Sequence, residues 1–481
     1  MRFSHVVSIL AGIVAALAVA LLPLQIVGLV AGVLIVGSLI LIEPAALLVL
    51  LLVFAPLRAL LNTESAVFAS NDPGQLLLAG LLAVVAGANI VRFRRVRLTG
   101  IPVTILPLLV YFLAITLSVT STVSVNGWLR EWVKWLQILL LALLTIYLSW
   151  RVPLIYIVAA LVTAGAANAA IGLYQFFGGS GALHLLVNGR FFRAFGTFGQ
   201  PNPFGASMGI LIPVAASVSV ACLFKVWRIW QQQKSIGFQF MGLALFFGSS
   251  AALMAAGLIA SWSRGAWLGF FASITIITLS FPPRLWQSMA LLVFGGVSAT
   301  VAWFAGLVPT AISARLATIT EDVFSLNDVR GVDITSANYA VVERLAHWQA
   351  ALRMAEAQPA TGIGAGNYAI AYDNYRLINW VEPLGHAHNF YLNVMAETGI
   401  IGLVAYLFFW LLIFYFTWQA RRHPDMIKRG IVVGLLGSWT YIAVHSLTDN
   451  LYVNNLFMHI GVMLGLLAVV YQDAFSFFRA E

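Results

Sequence analysis

The chain has 481 residues, of which 61% are apolar and only 9% are charged. Soluble globular domains contain roughly 45–50% apolar and about 25% charged residues. A composition this apolar cannot cover a surface exposed to water, so it excludes a soluble enzyme, a disordered chain and a fibrous protein. The sequence therefore predicts a membrane protein with many spans.

The net charge of +9 does not indicate nucleic-acid binding, because the basic residues lie in small groups between apolar runs. Small basic groups between spans are typical of positive-inside topology. The single cysteine excludes an intramolecular disulfide framework and a cysteine-ligated metal cluster.

A helix needs about 20 apolar residues to cross a bilayer. The candidate spans are 6–22, 24–42, 45–60, 75–91, 101–120, 131–150, 153–177, 204–224, 236–260, 265–280, 285–308, 390–418, 430–447 and 455–471. Because the third is short, we expect twelve to fourteen transmembrane helices. The expected fold class is an all-α polytopic membrane protein with a helical extracytoplasmic cap loop.

The distribution of Lys and Arg predicts the orientation. If the N-terminus is cytoplasmic, the basic groups at 92–97, 225–234 and 421–429 all lie inside. We therefore expect a protein of the plasma (inner) membrane with both termini in the cytoplasm. Residues 178–203 and 309–386 then face outward.

The long outer segment is too long for a structureless loop. Residues 341–357 predict an amphipathic helix whose stripe is Val341, Leu345, Trp348 and Leu352. We expect three parts in the chain, which are helices in 1–308 with outer arginine loops, a loop domain in 309–388 and C-terminal helices in 389–481.

Two outer turns carry arginine beside apolar runs. The first is Gly189–Pro203, with Arg190 and Arg193 before a turn that enters a span. The second is Ser261–Gly265, where Arg264 lies in a very short break. An arginine at a helix centre costs roughly 2.5–3.5 kcal/mol, which suggests an anionic partner, either a lipid phosphate or a substrate phosphate.

The third polar group is Gly385-His386-Ala387-His388-Asn389. Histidine acts as a base near neutral pH. His-x-His also resembles a metal pair, but no third ligand has a convincing spacing, so we expect no metal and no other cofactor.

Five residues further along the chain have structural interpretations. Glu397 is expected to be a buried hydrogen-bonding group, and Gly399-x-x-Gly402 a close helix contact. His445 and Asp449 are four residues apart, which favours a structural hydrogen bond between them over a proton relay.

These motifs resemble the O-antigen ligase family, whose superfamily includes O-antigen polymerases and bacterial protein O-oligosaccharyltransferases. Arg193-Ala194-Phe195-Gly196-Thr197-Phe198 with Gln200-Pro201-Asn202 resembles the family's first arginine signature, with Gln200 as a departure. Ser263-Arg264-Gly265 is similar to its second arginine turn. His388-Asn389 followed by Gly399-Ile400-Ile401-Gly402 resembles its histidine motif, and Arg344–Tyr368 resembles its outer-loop segment.

The resemblance implies a GT-C-like fold. It also implies a metal-independent, inverting transfer of a glycan from a polyprenyl (undecaprenyl) diphosphate to an acceptor hydroxyl on the outer face. The implied partners are the lipid-linked donor glycan, membrane lipid and an acceptor, which is a glycolipid, a glycan or a protein. Nucleic acid is not an implied partner. The implied catalytic residues are His388, Arg264 and Arg193. The implied substrate-binding residues are Arg190, Asn202, Arg344, His386 and Asn389.

Several functions remain open at this point. A ligase, a polysaccharide polymerase and a protein O-oligosaccharyltransferase share these motifs. A lipid-linked glycan flippase would also need arginines and many spans, although transporters often show repeats related by pseudo-symmetry and no repeat is visible here. A non-catalytic subunit of polysaccharide assembly is a third class.

Overall fold

The structure is a computed structural model that describes residues 44–59, 72–93, 101–179, 185–187, 189–234, 236–317, 328–335 and 338–480. The predicted spans 6–22 and 24–42 lie outside these residues. So do residues 94–97 of the predicted cytoplasmic basic loop.

The described residues are almost all helical. The helices are α1 (Pro44–Phe54), α2 (Pro73–Phe93), α3 (Leu106–Leu117), α4 (Val125–Ser149), α5 (Leu154–Gly178), α6 (Pro201–Gln233), α7 (Phe238–Ala260), α8 (Arg264–Ser280), α9 (Leu285–Phe304), α10 (Thr310–Ala317), α11 (Tyr339–Ala357), α12 (Tyr368–Ala371), α13 (Phe390–Ala420), α14 (Met426–His445) and α15 (Leu456–Ala480). Short 3₁₀ helices flank α3 at Val103–Ile105 and Ser118–Ser121, and another follows α12 at Tyr372–Asn374. Two short antiparallel strands, β1 (Leu186–Val187) and β2 (Phe191–Phe192), form a hairpin.

The predicted fold class is confirmed. Each of the twelve spans predicted from residue 45 onward coincides with one of these helices. Within the described residues, nine helices are long and apolar enough to cross a membrane, and Pro73–Ala86 and Arg264–Ser280 are shorter apolar helices. The chain is an all-α polytopic membrane protein.

Helix α6 is the centre of the bundle. It packs against α5, α7, α8 and α14, and most of its length is buried. Glycines permit the closest of these contacts, because a Cβ at Gly209 would overlap the Tyr441 ring and a Cβ at Gly434 would lie 2.5 Å from the Val214 Cα. Helix α6 therefore holds α7, α8 and α14 in fixed positions, and all three carry ends that reach the site described below.

The outer segment forms the expected helix, but its buried face differs from the predicted stripe. Helix α11 buries Leu345 and Trp348, whereas Leu352 is 40% exposed, so the prediction for Leu352 was wrong. The buried face is wider because small alanines such as Ala346 and Ala350 pack beneath the following turns.

Two glycines lock the segment after α11 onto α13. A Cβ at Gly362 would lie 2.3 Å from the Glu397 carbonyl carbon, and a Cβ at Gly399 would lie 2.3 Å from the Ala360 carbonyl oxygen. Gly399 has φ 64°, which kinks α13 at this contact. The close contact predicted at Gly399-x-x-Gly402 therefore exists, but its partner is the turn at 360–362 and not another helix.

Charge differs between the two ends of the bundle. Arg228 at the end of α6, Arg284 before α9 and Arg421 after α13 lie at the end where Arg429 donates to the Phe281 carbonyl at 2.6 Å. The positive-inside rule places such an end in the cytoplasm. The other end carries the outer segment with α11.

This charge distribution predicts that Arg330 faces outward and Gln232 inward. Single cysteines at 330 and 232, each in a Cys222→Ser background, should differ in their reaction with a membrane-impermeant maleimide added to intact spheroplasts. We expect labelling of residue 330 at once, and of residue 232 only after permeabilisation. The reverse pattern would show that the orientation is wrong.

Candidate functional site

The three sequence motifs meet at one end of the bundle. The segment before α6 reaches the end of α7, where the Ala194 N–H donates to the Ala260 carbonyl at 2.9 Å. The start of α13 reaches the end of α14, where the Phe390 N–H donates to the Ser446 carbonyl at 2.8 Å. Residues distant in sequence therefore share one site.

Two backbone carbonyls of the turn between α7 and α8 accept hydrogen bonds from arginine side chains. It spans Ser261–Ser263, and Trp262 adopts a left-handed conformation with φ 56°. The Arg193 Nε donates to the Ser261 carbonyl at 2.9 Å, and an Arg315 Nη donates to the Trp262 carbonyl at 3.1 Å. Arg264 follows the turn directly as the first residue of α8. Three guanidinium side chains thus surround one short turn.

Arginine charges act on one another in this region. Burial lowers the pKa of Arg193 to about 10, and the charges of Arg315, Arg344 and Arg264 act in the same direction. Even so, the Arg193 side chain stays protonated at neutral pH. We name Arg193, Arg264, Arg315 and Arg344 the arginine cluster, a concentration of positive charge suited to an anion such as a diphosphate.

The other residues proposed for the first arginine turn lie at different distances from the cluster. Asn202, in the first turn of α6, accepts from an Arg193 Nη at 3.3 Å and so helps to orient that guanidinium. Arg190 lies exposed at the hairpin, with its guanidinium carbon 5.0 Å from the centre of the Phe191 ring. Arg190 is not among the charges that act on Arg193.

Both histidines face a carboxylate from a distant part of the chain. The His386 Nε2 lies 3.5 Å and the His388 Nδ1 lies 3.6 Å from the same oxygen, Oδ1 of Asp449. That oxygen also accepts from the Asn450 N–H at 2.8 Å, which fixes its direction. The hydrogen bond predicted between His445 and Asp449 exists through the backbone, since the Asp449 N–H donates to the His445 carbonyl at 3.1 Å. The Asp449 carboxylate, however, faces His386 and His388, because α14 ends at His445 and the chain then turns toward the start of α13.

Protonation states follow from these contacts. The His386 Nδ1 accepts from the His388 N–H at 3.1 Å, so a neutral His386 carries its proton on Nε2, facing Asp449. Burial lowers the pKa of His386 to about 4, and the charge of His388 adds to this effect. Burial opposes ionisation of Asp449, but the hydrogen bond from His388 and the charges of His386 and His388 outweigh it and hold its pKa below the usual range. At neutral pH the site contains a carboxylate and a neutral His386.

Helix α8 connects the arginine turn to the histidines. A Cβ at Gly265 would lie 2.2 Å from the Thr448 Oγ1 and 2.9 Å from the His445 Cδ2. The residue after Arg264 therefore packs directly on the segment that carries Asp449. Gly265 is required by this contact, since any larger residue would separate the two halves of the site.

Asn389 and Glu397 have structural contacts. The Asn389 Oδ1 accepts from the Leu392 N–H at 3.1 Å and caps α13. The buried Glu397 Oε1 accepts from the Tyr368 N–H at 2.9 Å, which confirms its interpretation as a buried hydrogen-bonding group. Together these contacts fix the helix start on which His388 depends.

A buried aromatic group lies behind His388. The His347 Nδ1 lies 2.9 Å from the Tyr368 hydroxyl, and its ring stacks on Tyr372 at 4.8 Å and lies 5.8 Å from the His388 ring. Burial lowers the pKa of His347 to about 3, so this ring is neutral and packs as an uncharged wall. It belongs to α11, the helix that also brings Arg344 to the cluster.

His386, His388 and Asp449 could also hold a metal ion. One potential ligand atom from each residue lies within 4.8 Å of the others. Asp449 supplies the third ligand that no nearby residue in the sequence offered. The set consists of two imidazoles and one carboxylate, which suits a divalent transition metal.

The fold and the site define a multi-pass membrane protein with a cationic and histidine-containing site at one end. Residues 249–407 match the family model for O-antigen ligase. This match supports assignment of the chain to the O-antigen ligase family and confirms the resemblance seen in the motifs. A search of curated proteins gave no match.

The match covers part of the site. Arg264, Arg344 and the segment His386–Asn389 lie inside it, whereas Arg193 and Asn202 precede it and Asp449 follows it. The matched residues 249–407 make up about a third of the chain, and the family description of O-antigen ligase applies to that segment. The family implies glycan or lipid-linked substrates.

Two site residues were missed by the sequence analysis. Arg315 lies in the short helix α10, and no motif surrounds it. Asp449 was noticed only through its spacing to His445. The available signal for both was an isolated charge close to the end of an apolar span, which in a membrane protein is a reason to expect a functional residue.

Proposed function

We propose that the protein is an O-antigen ligase-like glycosyltransferase that moves a glycan from a polyprenyl (undecaprenyl) diphosphate to an acceptor hydroxyl on the outer face of the plasma membrane. The observation that carries this proposal is the arginine cluster beside the His388–Asp449 pair. One half offers positive charge for a leaving diphosphate, and the other offers a base for an acceptor.

The arginine cluster suits the leaving group. When the bond between the anomeric carbon and the diphosphate oxygen breaks, the electron pair stays on that oxygen. Fixed cations stabilise the charge that develops there, and such preorganised stabilisation lowers the barrier without reorganisation. Arg193 is held by the neutral acceptors Ser261 and Asn202, so its charge remains available to an anion.

His388 suits the acceptor. As the acceptor oxygen bonds to the anomeric carbon, His388 takes the hydroxyl proton. Asp449 lies on the Nδ1 side of the ring, which leaves Nε2 as the accepting nitrogen and stabilises the imidazolium that forms. A single in-line displacement of this kind inverts the anomeric centre.

The site is proposed to need no metal, because the arginine cluster supplies the charge that a divalent ion would otherwise provide. Its outward orientation is supported by the basic residues at the opposite end of the bundle. Both termini are proposed to face the cytoplasm. Arg190 and Arg344 are proposed to bind the donor, with His386, Asn202 and Asn389 supporting the site.

A polysaccharide polymerase or a protein O-oligosaccharyltransferase would use the same groups with a different acceptor. A flippase would not need a base beside the cations. Reconstituted protein supplied with purified lipid-linked glycan and an acceptor tests the proposal, because an enzyme forms the glycosylated acceptor and a flippase does not. The surface glycans of a deletion strain then separate the enzymes, since a missing ligase leaves lipid-linked polymer and a missing polymerase leaves single repeat units.

Arg264→Ala should lower the transfer rate by about 10²–10³, the usual effect of removing a charge-stabilising donor. Arg264→Lys should also be impaired, because a point charge does not reproduce the bidentate fork. The rate is measured in liposomes with the lipid-linked donor. Arg330→Ala, which removes an exposed arginine of the same outer segment, is the matched control and should keep full activity. Near-normal transfer by Arg264→Ala would exclude Arg264 from the site.

His388→Ala should lose nearly all transfer, because a general base contributes roughly 10²–10⁴. His386→Gln should keep a substantial fraction, since the glutamine amide oxygen can still accept a hydrogen bond. Both variants are assayed beside His423→Gln, a buried histidine at the opposite end. Equal losses at 386 and 388 would favour a paired role for the histidines, and full activity of His388→Ala would contradict its assignment as base.

Transfer should survive extensive treatment with EDTA. The readout is glycosylated acceptor, accompanied by metal analysis of the purified protein. If chelation abolishes transfer and Mn²⁺ or Zn²⁺ restores it, the set His386, His388 and Asp449 is a metal site and the proposed metal-free mechanism is wrong.

A further inference from the structure

A large apolar groove lies at the end of the bundle opposite the arginine cluster. It has a volume of about 910 Å³ and lies between α6, α8, α9 and α14. Phe224 and Phe281, stacked at 5.9 Å, form part of its wall. Its volume is at the upper end of the range for small-molecule sites.

Helix α9 closes one side of the groove and is itself thinly packed. It contacts α8, and within the described residues Ser288 is its one buried residue. Trp286 is 63% and Phe294 73% exposed, and both line the groove. A span with so little protein contact leaves its apolar wall to be covered by hydrocarbon.

The groove has positive charge at its edge. Arg228 from α6 and Arg429 from α14 are lining residues, and the described lining contains no Asp or Glu. An Nη of Arg429 donates to the Phe281 carbonyl at 2.6 Å, which turns the guanidinium toward the groove. The Arg429 Nε is buried and has no acceptor among the described residues. Arg228 is exposed, so the edge offers the donors of its guanidinium to an anion.

We propose that this groove binds an anionic glycerophospholipid, with its phosphate at Arg228 and Arg429 and an acyl chain along the wall formed by Phe224, Phe281 and Phe294. Phosphate oxygens match the guanidinium fork, and the apolar wall selects a lipid over free phosphate. Trp286 lies in the first turn of α9, and aromatic rings at the ends of spans are typical of the headgroup level of a bilayer. The proposal is independent of the glycosyl-transfer function.

The test uses the full chain purified in detergent and exposed to equal amounts of phosphatidylglycerol and phosphatidylcholine with identical chains. Native mass spectrometry counts the retained lipids. We expect a preference of roughly 25-fold for phosphatidylglycerol, because each of the two arginines near an anionic headgroup contributes a factor of about five. Equal retention of the two lipids would overturn the proposal.

Two variants separate the charge from the apolar wall. Arg228→Gln with Arg429→Gln should remove the preference, whereas the control Arg151→Gln with Lys234→Gln, which lowers the charge equally at the same end, should retain it. Ala290→Trp, at an exposed lining position, should reduce retention of both lipids while the arginines remain.

The remaining outcomes are also decisive. If the double arginine variant does not fold, the single variant Arg228→Gln replaces it, because this substitution changes an exposed side chain. Its preference for phosphatidylglycerol should be about fivefold lower than that of the unchanged protein. Unchanged selectivity in that variant, or in the folded double variant, contradicts the proposal. Displacement of the lipid by excess inorganic phosphate would show a phosphate site without lipid recognition, and a dimer that excludes lipid would assign the groove to a second copy.

Discussion

The site depends on two hydrogen bonds from arginine side chains to the backbone of one short turn. Arg193 and Arg315 come from segments separated by more than a hundred residues, and they donate to the neighbouring carbonyls of Ser261 and Trp262. Guanidinium groups repel one another, so a cluster persists only where fixed acceptors hold each member. Carbonyl oxygens orient the guanidinium groups without neutralising them, which leaves the charge for an anionic substrate. A carboxylate in their place would form an ion pair and occupy the same donors.

The same logic applies to the histidines. Asp449 reaches them because α14 ends at His445 and the chain turns toward α13, and Gly265 lets α8 pack on that turn. The outer segment adds a second restraint, since Gly362 and Gly399 let its backbone contact α13 two turns after the helix cap. The positions of His388 and of the arginine cluster are thus set by backbone contacts between helix ends, which resist displacement better than side-chain contacts alone.

The sequence predicted the helices well because each span is a local property of about 20 residues. It also singled out Arg193, Arg264 and the histidine segment, which the structure brings to one end of the bundle, since arginine and histidine stand out between apolar runs. It did not predict Arg315 or the contacts of Asp449, because both depend on which helix ends meet in space. Leu352 was misassigned for a related reason: periodicity finds an apolar stripe, but the partner surface decides how wide a face is buried.

Each end of helix α6 lies beside an arginine, with polar neighbours at one end and apolar neighbours at the other. At its start, Asn202 orients Arg193 among polar groups from several segments, in a setting that suits the proposed reversible binding of a diphosphate. At its far end, Arg228 lies at the edge of an apolar groove with Arg429, in a setting that suits a lipid with a headgroup phosphate. Arginine is the same ligand for phosphate in both places, so the difference between substrate and lipid comes from the neighbours. A histidine and carboxylate pair allows chemistry beside the phosphate, whereas phenylalanine and tryptophan side chains allow only binding.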